Sequence, residues 1–458
     1  MKYNMAIIGG GPGGYVAAIR AAQSGARVAL IEKGNLGGTC LNHGCIPTKS
    51  LAAGVSLLQS LRRGPELGIS TGGVTVNLGH LIERKNMVVN RLVQGVEYLI
   101  KKNNVDLFRG YARLSGKGKI SVKGPDLYLE LEAENIVLAT GTVPYLDKAM
   151  GYDGKRVITS DEALNLTAVP DRMLIIGGGV IGCEFASIYA ALGSKITIIE
   201  ILPYILPNMD REISRLMQGL MRRRGITIKT GAKIQEVKKQ EATVTACLEG
   251  GEEITADIAL ISTGRLNNLK NIGLEVTGLA IGDRGEVLVN KRMETTEKGI
   301  YAVGDIVGKM QLAHVASAQG VVAADNIMGV PSEMDYRVVP SCIFTYPEVG
   351  TVGINTQEAE ILGIPYKTGK FPFVASGKAQ AIGETEGFVK VLAHRDTDKI
   401  LGVHIAGPRG SDLIAEAALA MRLGATAKQL AQTIHAHPTL TESLVEACEA
   451  VYGRSIHM

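Results

Sequence analysis

The chain of 458 residues sets 49 Lys and Arg against 45 Asp and Glu, a formal charge of +4, with 46% hydrophobic residues and no tryptophan. This is an ordinary globular balance, long enough for two to four domains, and it speaks against nucleic acid or an anionic membrane as a partner. No apolar run approaches the ~18 residues of a membrane span, and the N-terminus leaves no room for a secretory leader. The expected compartment is the cytoplasm, where six cysteines would stay mostly reduced.

From Met5 an apolar strand runs into Gly9-Gly10-Gly11-Pro12-Gly13-Gly14, followed by a helical stretch, a turn glycine and a second strand, Val28 to Glu32. The spacing is G-x-G-x-x-G. Gly9 serves a tight turn, Gly11 lets the backbone approach a pyrophosphate, and Gly14 lets helix pack on strand, with the phosphates at the helix N-terminus. Glu32 stands 18 positions after the last glycine, placed to accept hydrogen bonds from a ribose.

Next comes Gly37-Gly38-Thr39-Cys40-Leu41-Asn42-His43-Gly44-Cys45-Ile46-Pro47-Thr48-Lys49. It reads as a redox-active disulfide; a static bridge or two idle thiols are the bland alternatives. Five residues of regular helix rise about 7.5 Å, whereas bridged cysteines keep their Cα atoms within roughly 6.8 Å. A helix joining such a pair must therefore be distorted between Cys40 and Cys45, and Gly44 is the expected place.

The whole nucleotide pattern returns 168 residues later, from Met173 through Gly177, Gly179 and Gly182 to Glu200. Glu200 would repel a 2′-phosphate and Ile201-Leu202-Pro203 bring no arginine to receive one, so the second site should take NAD. Each copy then reaches an apolar strand ending in Thr-Gly, at Thr140-Gly141 and Thr263-Gly264. Thr140, Gly141 and Gly264 join the candidate cofactor contacts. The interval from the glutamate is 45 residues longer in the first copy, and the cysteine pair lies in that addition. A dinucleotide fold with a redox insert is the expected flavin site. Arg222-Arg223-Arg224 reads as a solvated helix end, Arg265 begins a linker, and no Cys-x-x-Cys pair suggests a metal.

Beyond Val338 the pattern changes to strands and hairpins, with Gly387 to Leu392 pairing Ile400 to Ile405, then an amphipathic helix near Asp412 to Leu423: an α+β domain. Near the end stands His435-Ala436-His437-Pro438-Thr439-Leu440-Thr441-Glu442. A histidine can take the proton of a thiol, and His437 oriented by Glu442 is the candidate base.

Taken together, the cysteine motif, both fingerprints, Gly299 to Asp305 and the histidine motif closely resemble the pyridine-nucleotide disulfide oxidoreductases, over essentially the whole chain. That resemblance implies two duplicated Rossmann-like domains plus a C-terminal α+β dimerisation domain. The divisions expected are 1–145 for FAD and the redox insertion, 146–268 for NAD, 269–337 returning to FAD, and 338–458 for the dimer interface. It also implies that Cys40 exchanges with substrate while Cys45 faces the flavin as the charge-transfer thiolate. Lys49 would sit near flavin N5, paired with Glu184, and Asp305 would hold the ribityl chain, with a helix N-cap as its humbler role. His314 would lie on a flavin-contacting helix, and His435 would be structural. The reaction implied is oxidation of protein-bound dihydrolipoamide with NAD by a homodimer whose partner is a lipoyl-bearing protein of a multienzyme complex. NAD(P)H-dependent reduction of another disulfide such as glutathione disulfide, or an idle flavoprotein subunit, are the alternatives. His43, where an aliphatic residue is common, is a departure.

Overall fold

The computed structural model describes residues 2–125 and 127–458. Contacts divide the chain into two units, one holding the residues up to Leu51, Asn77–Tyr145 and Gly264–Asp335, the other holding Ala52–Val76, Leu146–Thr263 and Tyr336–Met458.

In the first unit the strand Lys2–Ile8 lies between Val28–Glu32 and Tyr128–Leu138, parallel to both, and Asp106–Arg109 extends the sheet beyond Val28–Glu32. Tyr128–Leu138 is long enough to pair in two ways. Its later residues run parallel to Lys2–Ile8 and Ile300–Ala302, while its first residues form an antiparallel meander with Lys119–Lys123, which in turn pairs Tyr111–Gly116. The segment after residue 269 thus returns to this sheet, burying Ile272, Val287, Ile300 and Ile306 in the same core as Tyr3 and Ile136. Helix Pro12–Gln23 follows the first fingerprint, and helix Ala313–Ile327 packs on it. The approach is close because a Cβ on Gly320 would stand 2.4 Å from the Gly13 carbonyl oxygen. An ion pair, Arg20 Nε to Asp325 Oδ1 at 2.6 Å, secures the crossing.

The second unit repeats the nucleotide motif in the same register. Met173 pairs Ile196 and Ile258, as Met5 pairs Val28 and Asn135 in the first copy. The parallel sheet runs Thr227–Thr230, Lys195–Glu200, Arg172–Ile176, Ile258–Ile261, Val157–Ile158. A separate antiparallel sheet of Ile234–Lys239, Val244–Leu248 and Glu253–Ala256 accompanies it. The C-terminal region is a five-stranded antiparallel sheet in which Phe388–His394 pairs Ile400–Gly407, with helices Gly410–Arg422 and Glu442–Ala450 packed on it. Two dinucleotide folds and an α+β region are therefore present as expected.

Three local expectations need correcting. Arg265 does not start a linker: Arg265–Asn267 is a strand pairing antiparallel with Thr142–Pro144, which places it with the first unit. The end of helix Arg211–Arg223 is not a freely solvated run either. Arg224 pairs with Glu386 and lies 4.9 Å over the Tyr346 ring, and Arg222 donates to the Ile228 carbonyl. Nor does Asp305 cap a helix with its side chain; it is the first residue of a short 3-10 turn, Asp305–Val307.

Candidate active site

The helix Gly38–Asn42 closes at His43, whose φ of −137° leaves the helical range, and a new helix, Cys45–Arg62, begins after Gly44. The break falls where the length of a bridged pair demands it. Asn42 ties the short helix down by donating its Nδ2 to the Leu36 and Gly38 carbonyls, at 3.1 and 2.9 Å.

Cys40 and Cys45 are half-buried and in contact with each other. The hydrogen bond to Cys45, then burial, then the charge of the Cys45 thiolate push the Cys40 thiol well above its ordinary range, with Lys49 opposing and Asp305 adding to the rise. Lys49 sits one helical turn after Cys45, so its cation belongs to this group. The Tyr15 hydroxyl, on the fingerprint helix, is raised by burial and by the charge of Cys40, which places it in the same neighbourhood. No motif or spacing in the chain signals Tyr15.

Around this pair the first nucleotide cradle is well formed. A Cβ on Gly14 would stand 1.8 Å from the Gly9 carbonyl oxygen, whereas a Cβ on Gly11 would find only the Gly38 Cα, at 3.9 Å. The last glycine is there for packing; the middle one opens to a ligand. Glu32 accepts from the amides of Gly10 and Gly34, both at 2.7 Å, which fixes its carboxylate while each oxygen keeps a second acceptor site for a ribose. The Thr140 hydroxyl is buried with no hydrogen-bond partner, and Gly141, at φ +67°, has open space beside it. Asp305 Oδ2 accepts from the Thr142 hydroxyl at 2.8 Å, and Arg265 Nε donates to that hydroxyl at 2.7 Å. Arg265 is a member that sequence reading missed, since its partner strand is 123 residues away. His314 is exposed at the start of the helix Ala313–Ile327. Open backbone, an orphaned buried hydroxyl and anchored carboxylates suit a dinucleotide such as FAD.

The second cradle has the same construction. Gly182 packs on Gly177, 2.1 Å from its oxygen if a Cβ were added, Gly179 is open, and Glu200 accepts from Gly178 at 2.6 Å and Leu202 at 2.8 Å. Glu200 is buried, and a 2′-phosphate there would meet a fixed negative charge, which suits NAD. Gly264 carries φ +141° at the strand end. Glu184 is buried rather than on a helix surface, with Oε1 accepting from the Phe344 amide at 2.9 Å.

His437 and Glu442 form a histidine–carboxylate pair. His437 Nδ1 lies 2.8 Å from Glu442 Oε1, and the Thr439 amide donates to Glu442 Oε2 at 2.7 Å. Burial would raise the Glu442 carboxyl, but the hydrogen bonds from Thr439 and His437 outweigh it and hold it below the usual range. A charged Glu442 keeps the proton on Nδ1 and leaves Nε2 as the acceptor, on a side chain 79% exposed. His435 differs: both its nitrogens are engaged, with Thr433 O and Glu416, on a side chain 8% exposed. Cys183 and Cys448 are buried, with burial raising both thiols. Among the described residues no cluster suits a metal ion, and no helix is long and apolar enough to cross a membrane.

Comparison with known proteins agrees with this geometry. The family model "Pyridine nucleotide-disulphide oxidoreductase" matches residues 3–320 and that family's dimerisation domain matches residues 339–448. The chain belongs to the pyridine nucleotide-disulphide oxidoreductases, a family of FAD and NAD enzymes, and its dimerisation domain supports a homodimer. Among its relatives, dihydrolipoyl dehydrogenase of Bacillus subtilis is 43% identical over all of this chain and 99% of that protein. Dihydrolipoyl dehydrogenase of Trypanosoma brucei brucei is 41% identical over 99% of this chain and 98% of the other. Among solved structures, LpdA from Mycobacterium tuberculosis superposes with a TM-score of 0.92 at 29% identity, covering 97% of this chain and 99% of that one.

Proposed function

We propose that the protein oxidises protein-bound dihydrolipoamide to lipoamide with NAD+, as the dehydrogenase of a 2-oxo-acid or glycine-cleavage complex. The observation that carries this reading is the Cys40–Cys45 pair, straddling a helix break beside Lys49 and Asp305 in the longer of the two dinucleotide folds. Full-length relatives named dihydrolipoyl dehydrogenase support the substrate, and the pinned Glu200 supports NAD.

His437 Nε2 takes the proton of one substrate thiol, and the thiolate attacks Cys40 Sγ of the oxidised pair. The Cys40–Cys45 bond breaks with Cys45 leaving as thiolate, stabilised by the nearby Lys49 cation. The second substrate sulfur then displaces Cys40, closing the lipoamide disulfide and leaving Cys40 as a thiol. One substrate proton ends on Cys40 and the other on His437, which releases it to water. In this reading Glu442 orients the ring and stabilises its cation, and His437 serves the disulfide of the other subunit of the dimer. Gly9, Gly11, Gly14, Glu32, Thr140, Gly141, Lys49, Asp305 and His314 would hold FAD, which when bound supplies the two-electron link from the dithiol to NAD+. Gly177, Gly179, Gly182, Glu200, Gly264 and Glu184 would hold the nicotinamide dinucleotide.

The test is a substrate-by-nucleotide comparison on the purified yellow protein. NAD+ should be reduced by dihydrolipoamide, and Cys45→Ser should lower that rate by ~10⁴-fold or more while NADH still reduces ferricyanide. Reduction of glutathione disulfide with NADPH, with dihydrolipoamide left untouched, would sink the assignment.

A further inference from the structure

The segment after Glu200 and the helix Arg211–Arg223 form a cavity of about 580 Å³, with Pro203 and Tyr204 on the one and Arg211, Arg215, Gln218 and Arg222 on the other. The helix positions follow one another at intervals of four, three and four residues, so they make a single stripe along one face. The opposite face, with Ile213, Met217, Leu220 and Met221, is buried.

For the helix itself this stripe is a poor arrangement. Arg211 is the first helical residue and stands at the positive end of the dipole, and Arg211 and Arg215 put like charges one turn apart. The neighbouring acids do not relieve them: Asp210 pairs with Lys390 at 2.9 Å, and Glu212 with Lys370 and Lys390 at 2.8 Å each. Among the described residues that line the cavity, none is acidic. Two of the guanidinium groups are nevertheless steadied. Arg222 donates Nη2 to the Ile228 carbonyl at 3.2 Å, and Arg211 lies 5.7 Å over the Tyr204 ring. Arg223 and Arg224 turn away from the stripe, to Glu386.

We infer that this cavity binds an anion with linked phosphates, carried by a nucleoside di- or triphosphate or by inorganic polyphosphate. Guanidinium forks match phosphate oxygens bidentately, and three of them without acidic partners call for more than one negative charge. Arg211 and Arg215 stand about 6 Å apart along the helix axis and Arg222 about 10 Å further on. A chain of phosphates spans that spread, whereas a single phosphate does not. The volume is that of a small-molecule site, roughly 300–1,000 Å³, and Tyr204 supplies a ring beside which a base would lie. The site is separate from the second dinucleotide cradle, because Gly177, Gly179, Gly182, Glu184, Glu200 and Gly264 are not among its lining residues. It is nonetheless a close neighbour: the Leu202 amide donates to Glu200 and the Leu206 amide to the Gly178 carbonyl, both at 2.8 Å, so the segment that carries Tyr204 also backs that cradle. The inference does not depend on which thiol the enzyme oxidises.

The experiment is calorimetric titration of the FAD-loaded protein with sodium tripolyphosphate and with ADP, each under saturating NAD+ so that the cradle is filled. Tripolyphosphate should bind once per chain. Arg215→Gln and Arg222→Gln should each weaken it about 10-fold, the effect of losing a charged hydrogen-bonding partner, while Arg223→Gln, which removes the same charge outside the cavity, should leave it unchanged. ADP binding more tightly than tripolyphosphate, with Tyr204→Ala removing the advantage, makes the ligand a nucleotide; tripolyphosphate binding more tightly makes it inorganic polyphosphate. Three results overturn the inference: no binding at millimolar tripolyphosphate, equal weakening by Arg223→Gln, or binding that saturating NAD+ abolishes and Arg215→Gln leaves untouched. The arginines are exposed, so the variants should fold, and unchanged thermal unfolding checks this.

Discussion

The two nucleotide folds share register, glycine packing and a carboxylate fixed by two backbone amides, yet they differ in the segment beyond that carboxylate. After Glu32 the chain turns through Gly37 into the broken helix that carries the cysteines; after Glu200 it passes to Asp210, the N-cap of the helix Arg211–Arg223. In the first copy this segment carries the cysteine pair; in the second it leads to a buried ion pair. Asp210 is wholly buried and paired with Lys390, 3.1 and 2.9 Å from its two oxygens, on the strand Phe388–His394. The lesson is that duplicated cradles can be kept nearly identical, because binding a pyrophosphate needs the same backbone both times, while the segments after the glutamate are free to take different work.

The sharpest attack on that contrast is Lys390→Met. It would leave Asp210 charged in the interior with hydrogen bonds from Thr356 and the Glu212 amide but no counter-ion and should cost about 3–5 kcal/mol of stability, with Asp210→Asn in the same chain recovering most of it; thermal unfolding reports both. If the single and double variants melt alike, the buried pair does not fasten the second copy.

Next in size is a pH effect in the same region. His404 is 1% exposed, bonded at its two nitrogens to Thr351 and the Ile354 carbonyl, and burial pushes its pKa down to about 4 against an opposing pull from Asp210. A depressed folded value means the unfolded chain binds the proton first. The contribution is therefore complete above about pH 6.5 and is lost as the pH falls to about 4, worth about 3 kcal/mol in all. Chemical denaturation of wild type should show that slope and His404→Gln should lack it.

A pair of glycine variants separates the copies by function. Gly14→Ala forces a Cβ onto the Gly9 carbonyl and should lower flavin bound per chain, whereas Gly182→Ala does the same at Gly177 and should raise KM for NAD+ with flavin retained. Overpacking of this kind costs roughly 1–3 kcal/mol, about 10–100-fold in affinity. Crossed effects would reassign the cradles.

The smallest effect expected is Arg265→Met. It frees the Thr142 hydroxyl to stop presenting Asp305, and FAD should dissociate about 5–10-fold more readily, the effect of losing one hydrogen bond. Flavin release tracked by fluorescence would read it, and unchanged release would show that Asp305 needs no such support.

Much of the architecture was legible in the residues. The repeat from Met5 to Glu32 and Met173 to Glu200 could be read because strand, glycine turn and helix are local, and a helix break between Cys40 and Cys45 is required by the length of a bridged pair. His437 with Glu442 is likewise a local pattern. The features that could not be read depend on distant partners: Arg265 looked like a linker because nothing nearby says that it pairs with Thr142–Pro144, and Arg224 looked solvated because Glu386 and Tyr346 are far along the chain. Glu446 and His457 carry no motif at all, since they meet only once the end of the chain folds back on the helix Glu442–Ala450.

By itself, then, the sequence determined the two dinucleotide folds, the interrupted helix between Cys40 and Cys45 and the pairing of His437 with Glu442, because each is written in short-range spacing that backbone geometry enforces. Only the tertiary structure decided which charges are buried, which carboxylates hold which histidines, and that Asp305 is presented by Thr142 and Arg265. Those facts turn on which residues far apart in the chain come to share a low-dielectric neighbourhood, and local spacing does not encode that.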